Sequence, residues 1–257
     1  TQGFDNHTDI YYRNLYKKIF IKETNEYIAL NKPSGLAVQG GSLQKYHIDD
    51  MLKYLFKDAN VPKLIHRIDK DTSGLLLVAK DQQSAVKFSN YFKQRKVVKT
   101  YLAIVSPCPK TENGVIELPI IKAGIKGQLK MIIDKNRGKK AITEYKVLDQ
   151  VNSRVALMAL YPKTGRTHQL RVHLEYMNCP IIGDKKYSGS FGVSSSDYNH
   201  MEHESTSKIR WRHEGIKDLQ LHAYSIKMPP NELIEAKVSD TFKRNLNLLG
   251  LIIPKNI

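Results

Sequence analysis

Apolar positions along the chain fall mostly into short runs broken by charged or turn residues, and only a few windows hold a helical period. Ile19 and Ile21 precede the run Tyr27-Ile28-Ala29-Leu30, with polar Glu23 to Glu26 between them. This predicts two short strands around a turn, the second stopped by Lys32-Pro33-Ser34-Gly35. Ile48, Leu52 and Leu55 or Phe56 recur at helical spacing after His47, with Asp49 and Asp50 in the first turn, where the helix dipole favours acids. Leu75 to Ala79 is short and continuously apolar, the pattern of a strand buried on both faces. Asp81 behind it is placed to N-cap a helix carrying Ala85, Phe88 and Phe92 on one side.

A β-rich series follows: Lys99 to Val105, Val115 to Ile121, Leu129 to Ile133, Lys140 to Val147 and Val155 to Leu160. Pro107, Pro109, Gly124, Gly127, Asn136 and Gly138 punctuate it, so a mostly antiparallel meander is expected. The period changes at Thr167 to Met177, where Leu170, Leu174 and Met177 mark one helix face and Cys179-Pro180 ends it. Ser188 to Ser207 is polar and predicts a surface loop, Leu221 to Met228 a last strand, and Asp240 to Leu249 a last helix. No composition shift marks a linker and there is no internal repeat.

A chain of 257 residues can bury a core without disulfide help, and Cys108 and Cys179 show neither a disulfide framework nor metal-site spacing. A reducing compartment follows. Thr1 to Lys18 is polar and aromatic, with no apolar signal core or membrane span, so a cytoplasmic protein is expected. The 41 Lys and Arg against 25 Asp and Glu leave a formal charge of +16, which favours a polyanionic partner through counterion release. Nucleic acid is the first candidate.

The segment with most chemistry is His66-Arg67-Ile68-Asp69-Lys70-Asp71-Thr72-Ser73-Gly74, immediately before the buried strand. A carboxylate beside a core needs a cation, so on residue types alone Asp69 reads first as half of an ion pair and second as a reactive acid. Arg67 lies two residues away and projects to the same side of an extended segment. Thr72-Ser73-Gly74 after His66 and Asp69 contains the letters of a serine hydrolase, but no G-x-S-x-G elbow is present. His200, His203 and His213 form no zinc pattern, and the five-residue spacing of His168 and His173 is not that of a helical metal pair, so structural hydrogen bonding is expected of both.

Asp69 before an apolar strand, Lys99-Thr100-Tyr101, and the run from Thr164-Gly165-Arg166-Thr167-His168-Gln169-Leu170-Arg171 to Val172-His173 occur in an order that resembles the RluA-type pseudouridine synthase family. The resemblance runs from about Ile21 to Leu249 and includes Asn31-Lys32-Pro33-Ser34-Gly35 and Ile182-Gly183-Asp184-Lys185-Lys186-Tyr187. Ala37-Val38-Gln39-Gly40-Gly41-Ser42 is similar to the RluC-like ribosomal large subunit subgroup, with Gln39 where that subgroup has histidine.

The resemblance implies an α+β fold: a mixed, mainly antiparallel central sheet in two halves flanked by helices, with a basic active-site cleft. Residues 19–257 would form the catalytic domain and 1–18 an amino-terminal extension. RluC-like members often carry a small amino-terminal RNA-binding domain, for which Thr1 to Lys18 is too short, so such a module is expected to be missing from these residues.

It further implies isomerisation of specific uridines in RNA, large-subunit ribosomal RNA before transfer RNA, by a monomer without metal or cofactor. Asp69 would be the catalytic carboxylate, Tyr101 the ring stacked on uracil, and Arg166 the basic residue that pairs with Asp69, with Arg171 as the alternative partner. Arg67 would fill the space left by a flipped nucleotide, Leu170 would wall the pocket, and Lys32, grouped with them, would support the site from below. A non-catalytic RNA-binding or ribosome-assembly protein on the same fold is the rival reading, and a hydrolase using Ser73 a second.

Overall fold

The computed structural model describes residues 6–40, 46–57, 60–125, 129–187, 216–255 and 257. The polar stretch predicted at Ser188 to Ser207, Gly41, Ser42, Gly127 and the histidines His200, His203 and His213 lie outside the described residues. The chain begins with α1 (Asn6–Ile19), β1 (Phe20–Glu23), β2 (Tyr27–Lys32), α2 (Ile48–Leu55), β3 (Lys63–Leu64), β4 (Ser73–Ala79) and α3 (Gln82–Lys93). It continues through β5 (Val98–Val105), β6 (Asn113–Glu117), β7 (Ile120–Ala123), β8 (Lys130–Ile133), β9 (Ile142–Val151) and β10 (Val155–Pro162). α4 (Gln169–Tyr176), β11 (Leu221–Met228), β12 (Glu232–Glu235) and α5 (Asp240–Leu249) complete it.

One mixed sheet runs in the order β1-β2-β4-β11-β5-β10-β9-β6, with β3 added to β4 and β12 to β11, while β7 and β8 pair only with each other. All pairings are antiparallel except β4 with β11, whose parallel contact consists of His222 opposite Ser73 and Ala223 opposite Gly74. That short seam divides the sheet into the two halves. At the seam Gly74 has φ of +111°, and a Cβ there would lie 2.2 Å from the Ala223 carbonyl oxygen. Only glycine permits this approach.

The alternation of side chains builds one layer of core on each face of each half. Ile28 and Leu30 of β2 and Leu76 and Val78 of β4 pack under α1 and α2 through Tyr12, Ile48, Met51 and Leu52. Ala29, Leu75 and Leu77 face the other way, onto Ala85 and Phe88 of α3. In the second half, Ala103, Met158 and Leu160 meet Leu170 and Leu174 of α4, whereas Leu102, Ile104 and Leu157 meet Phe242 and Leu246 of α5. Tyr101 packs against both clusters on the first face, between the helices that cover each half.

Local rules account for most element ends. Asp81 caps α3 by accepting from the Ser84 amide, and Ser239 caps α5 by accepting from the Phe242 amide, each satisfying an amide the helix leaves open. His47 does the same for α2 through the Asp50 amide. Gly250, at φ +72°, closes α5 in the left-handed conformation. One expectation differs from the structure. The run Val115 to Ile121 is split at Leu118-Pro119, because proline has no amide for the ladder and the chain leaves the main sheet there. The amino-terminal stretch forms α1, whose Tyr12 and Ile19 are buried and whose Tyr12 hydroxyl donates to Asp50 Oδ2 at 2.6 Å. No helix among the described residues is long and apolar enough to cross a membrane.

Replacing Gly74 by Ala is expected to cost more than about 3 kcal/mol in urea unfolding or to prevent folding, because both a positive φ and a backbone clash oppose it. Gly35→Ala, at φ +84° with open space around it, should cost only about 1–2 kcal/mol.

Candidate active site

The sheet register brings candidate residues from separate strands into one row. Lys32 on β2 is opposite Gly74, Gly74 opposite Ala223, Ala223 opposite Tyr101, and Tyr101 opposite Leu160. Residues directly opposite share a face, so one transverse row carries Lys32 and Tyr101 on either side of the small pair Gly74 and Ala223. The segment leading into β4 passes over this row. Ile68 is buried in the first cluster, and its neighbours project the opposite way: Arg67 exposed and Asp69 half-buried.

The segment is held through its backbone. Lys32 is fully buried, and its ammonium donates to the carbonyls of Pro33 (2.9 Å), Leu36 (2.8 Å) and Lys70 (2.9 Å). Gly35 N–H also donates to Lys70 O, and Ser34 Oγ to Asp71 O. Burial pulls the Lys32 pKa down to about 7, opposed by Asp71 and Asp69. Three N–H groups matched to three carbonyls suit the charged form. Lys32 thus clamps the Asp69 segment to the Pro33 turn from beneath.

Tyr101 sits half-buried on β5; burial, and then the charge of Asp69, push its hydroxyl well above the ordinary phenol value. It is a neutral phenol at neutral pH. The Asp69 charge also acts on Lys32, His168 and Arg171. Among the described residues no ion pair or side-chain hydrogen bond engages the Asp69 carboxylate itself.

Neither of the two arginines offered as its partner forms an ion pair with Asp69, and its charge acts on Arg171. Arg166 is exposed, with Nε donating to the Lys140 carbonyl at 3.1 Å. Arg171 is buried in α4 and pairs bidentately with Asp184, Nε to Oδ2 and Nη2 to Oδ1, both at 2.8 Å. Asp184 Oδ1 also accepts the Lys186 and Tyr187 amides, which folds the Gly183 to Tyr187 turn around the guanidinium. The Arg171 guanidinium carbon lies 5.0 Å from the Tyr187 ring centre.

The turn before α4 is fixed by Gln169. Its Oε1 accepts from Thr164 Oγ1 and the Arg166 amide, and its Nε2 donates to Ile142 O and Thr143 Oγ1. Its oxygen thus closes the turn on itself while its amide nitrogen ties the turn to β9. His168, the helix cap, is left-handed at φ 53°, an uncommon conformation for a non-glycine residue. Its Nδ1 lies 2.8 Å from the buried Tyr187 hydroxyl, which also accepts the Met131 amide at 3.2 Å. The buried phenol proton has His168 Nδ1 as its acceptor, so His168 carries its own proton on Nε2. Leu170 is buried beside this turn in the cluster that touches Tyr101.

Other histidines are structural. His173 spans Thr143 Oγ1 and Leu118 O, and His66 Nε2 accepts from Leu77 N–H while the ring stacks on Phe92 at 4.9 Å. His222 bridges Ser73 Oγ and Ala236 O across the seam, both at 2.9 Å. A backbone carbonyl stands where a hydrolase triad would need a carboxylate. Among the described residues no group of His, Cys, Asp and Glu could hold a metal. The sequence reading assigned no role to Asp184 or Tyr187, although both lie in the Gly183-Asp184 segment that carried part of the resemblance; Asp followed three residues later by Tyr was the available signal.

Asp184→Asn should destabilise the protein by about 3–5 kcal/mol in chemical denaturation, since it leaves a buried guanidinium unmatched. Adding Arg171→Met should recover part of that loss. Burial lowers His66 to about 3 and His222 to about 4, from an ordinary 6.5. The folded state therefore binds fewer protons than the unfolded one below that value. The urea midpoint should hold above about pH 6.5 and fall as pH drops toward 4.

A family model described as RNA pseudouridylate synthase matches residues 26–176. Ribosomal large subunit pseudouridine synthase C of Rickettsia bellii is 44% identical over 190 residues, covering 72% of this chain and 62% of that protein. The chain thus aligns with less than two thirds of that relative's length. Pseudouridylate synthase RPUSD4, mitochondrial, of Rattus norvegicus is 31% identical over 285 residues, covering 96% of this chain and 73% of that protein. The solved structure of Human RNA Pseudouridylate Synthase Domain Containing 4 matches with a TM-score of 0.76 at 29% identity, covering 97% of this chain and 99% of that one. The matched residues run from the turn before β2 to the end of α4 and take in Lys32, Asp69, Tyr101 and Arg171, so the chain belongs to the RNA pseudouridylate synthase family.

Proposed function

We propose that this protein converts uridine to pseudouridine in RNA, with large-subunit ribosomal RNA as substrate, acting as a monomer. The observation that carries the reading is an Asp69 carboxylate left without a direct partner, its charge felt by the neutral, half-buried Tyr101 phenol, in a chain of this family. An acid kept unpaired at a cleft floor is available to a ligand, whereas a structural acid is consumed by its neighbours. The names of the Rickettsia relatives support the ribosomal substrate.

In this reading the C1′–N1 bond breaks, the uracil turns, and C1′–C5 forms; the C5 proton leaves and N1 gains one, so the isomerisation is redox-neutral. Asp69 attacks C1′ or the uracil ring, or holds the charge that develops as the base detaches. Tyr101 stacks on the uracil, with its hydroxyl in place to pass the C5 proton. Arg171, fixed by Asp184, feels the Asp69 charge without pairing with it. A stacked uridine hides its glycosidic bond, and extruding it costs a few kcal/mol. Arg67, exposed two residues before Asp69, is placed to occupy the vacated stack.

Purified protein incubated with a large-subunit ribosomal RNA transcript should form pseudouridine, and Asp69→Asn should lower the rate at least about a thousandfold while RNA affinity changes only a few-fold. Equal product from both proteins would remove Asp69 from the mechanism. A transfer RNA transcript in parallel distinguishes the substrate classes.

A further inference from the structure

Lys99 carries a charge that the fold leaves unmatched. Alternation along β5 puts Lys99 and Tyr101 on one face, about 7 Å apart. A methyl group placed on Gly165 would stand 3.9 Å from Lys99 Nζ, so the ammonium reaches the turn that bears Arg166. On its other side its charge acts on the ring of His66, which precedes Arg67. Burial lowers the pKa of this half-buried lysine.

The other sheltered cations are answered by the protein: Lys32 by three carbonyls, Arg171 by Asp184, Lys130 by Glu175. Among the described residues no hydrogen bond or ion pair engages Lys99 Nζ. A partly desolvated ammonium without a partner is unfavourable and becomes favourable when an anion completes it.

We propose that Lys99 Nζ, beside the turn that bears Arg166, is a phosphate site that takes the RNA backbone phosphate adjoining the uridine drawn toward Asp69. The inference rests on the RNA reading above, though not on the isomerisation. It makes Lys99 a positioning residue: it fixes the backbone of the strand whose base enters the site, and it carries no sequence information.

The test measures affinity for the ribosomal RNA transcript as a function of salt, with wild type, Lys99→Met and Lys99→Arg. Removing one phosphate contact should reduce the magnitude of the log–log salt slope by about 0.7–0.9 and weaken binding about tenfold at low salt, with Lys99→Arg retaining the slope. The thermal midpoint of Lys99→Met should not fall, because methionine relieves the desolvation. In RNAs carrying one neutral methylphosphonate beside the converted uridine, one position should weaken wild type about tenfold and leave Lys99→Met unchanged.

An unchanged slope in Lys99→Met, or additive losses at every methylphosphonate position, overturns the proposal. Transcript binding with a Lys99-dependent slope but without pseudouridine would uphold the phosphate site and remove the isomerase reading. No binding by wild type would remove both.

Discussion

The approach of Gly74 to Ala223 is the contact on which the site depends. Two parallel residue pairs are all that join β4 to β11, yet they bring the strand that follows Asp69 within two strands of the one that carries Tyr101. A side chain at Gly74 would push β11 away and separate the acid from the phenol. His222 reinforces the seam by linking Ser73 to the Ala236 carbonyl, so the serine that suggested a hydrolase serves to join the halves.

Around this seam the charges are treated unequally. Lys32 and Arg171 are buried and fully engaged, each pinning a loop: one the Lys70 backbone, the other the Asp184 turn. Such groups contribute position more than net stability, since removing them from water offsets much of their attraction. Asp69 and Lys99 lie between these anchors with no direct partner among the described residues. Lys32 spends its hydrogen bonds on backbone carbonyls and Arg171 is held by Asp184, while the Asp69 carboxylate and the Lys99 ammonium stay open.

Periodicity revealed most of the elements because burial imposes it. Leu75 to Ala79 could only be a covered strand, and Asp81 announced the helix behind it. α1 was less legible: Tyr12, Leu15 and Ile19 hold a helical spacing, but charged residues between them and an aromatic rather than aliphatic face made it read as an extension. β3 and β12 are too short to carry a period. Asp69 and Tyr101 stood out by their setting in motifs, whereas the Arg171–Asp184 pair forms only after α4 and the following turn have folded. Arg166 and Arg171 lie on one turn of chain, and only the backbone geometry set by Gln169 and left-handed His168 separates the outward arginine from the inward one. Lys99 was hidden because a lysine near the start of a strand ordinarily points to water.

The transverse row from Lys32 through Gly74 and Ala223 to Tyr101 makes strand register a functional quantity. Side chains alternate faces with every residue, so a slip of one position between β11 and β5 would turn Tyr101 to the opposite face while leaving the ladder largely intact. A chain that folded with that slip would retain its strand content and much of its helix content and yet have no assembled site. The face on which Tyr101 lies is therefore a stricter gauge of correct folding for this protein than its overall secondary structure.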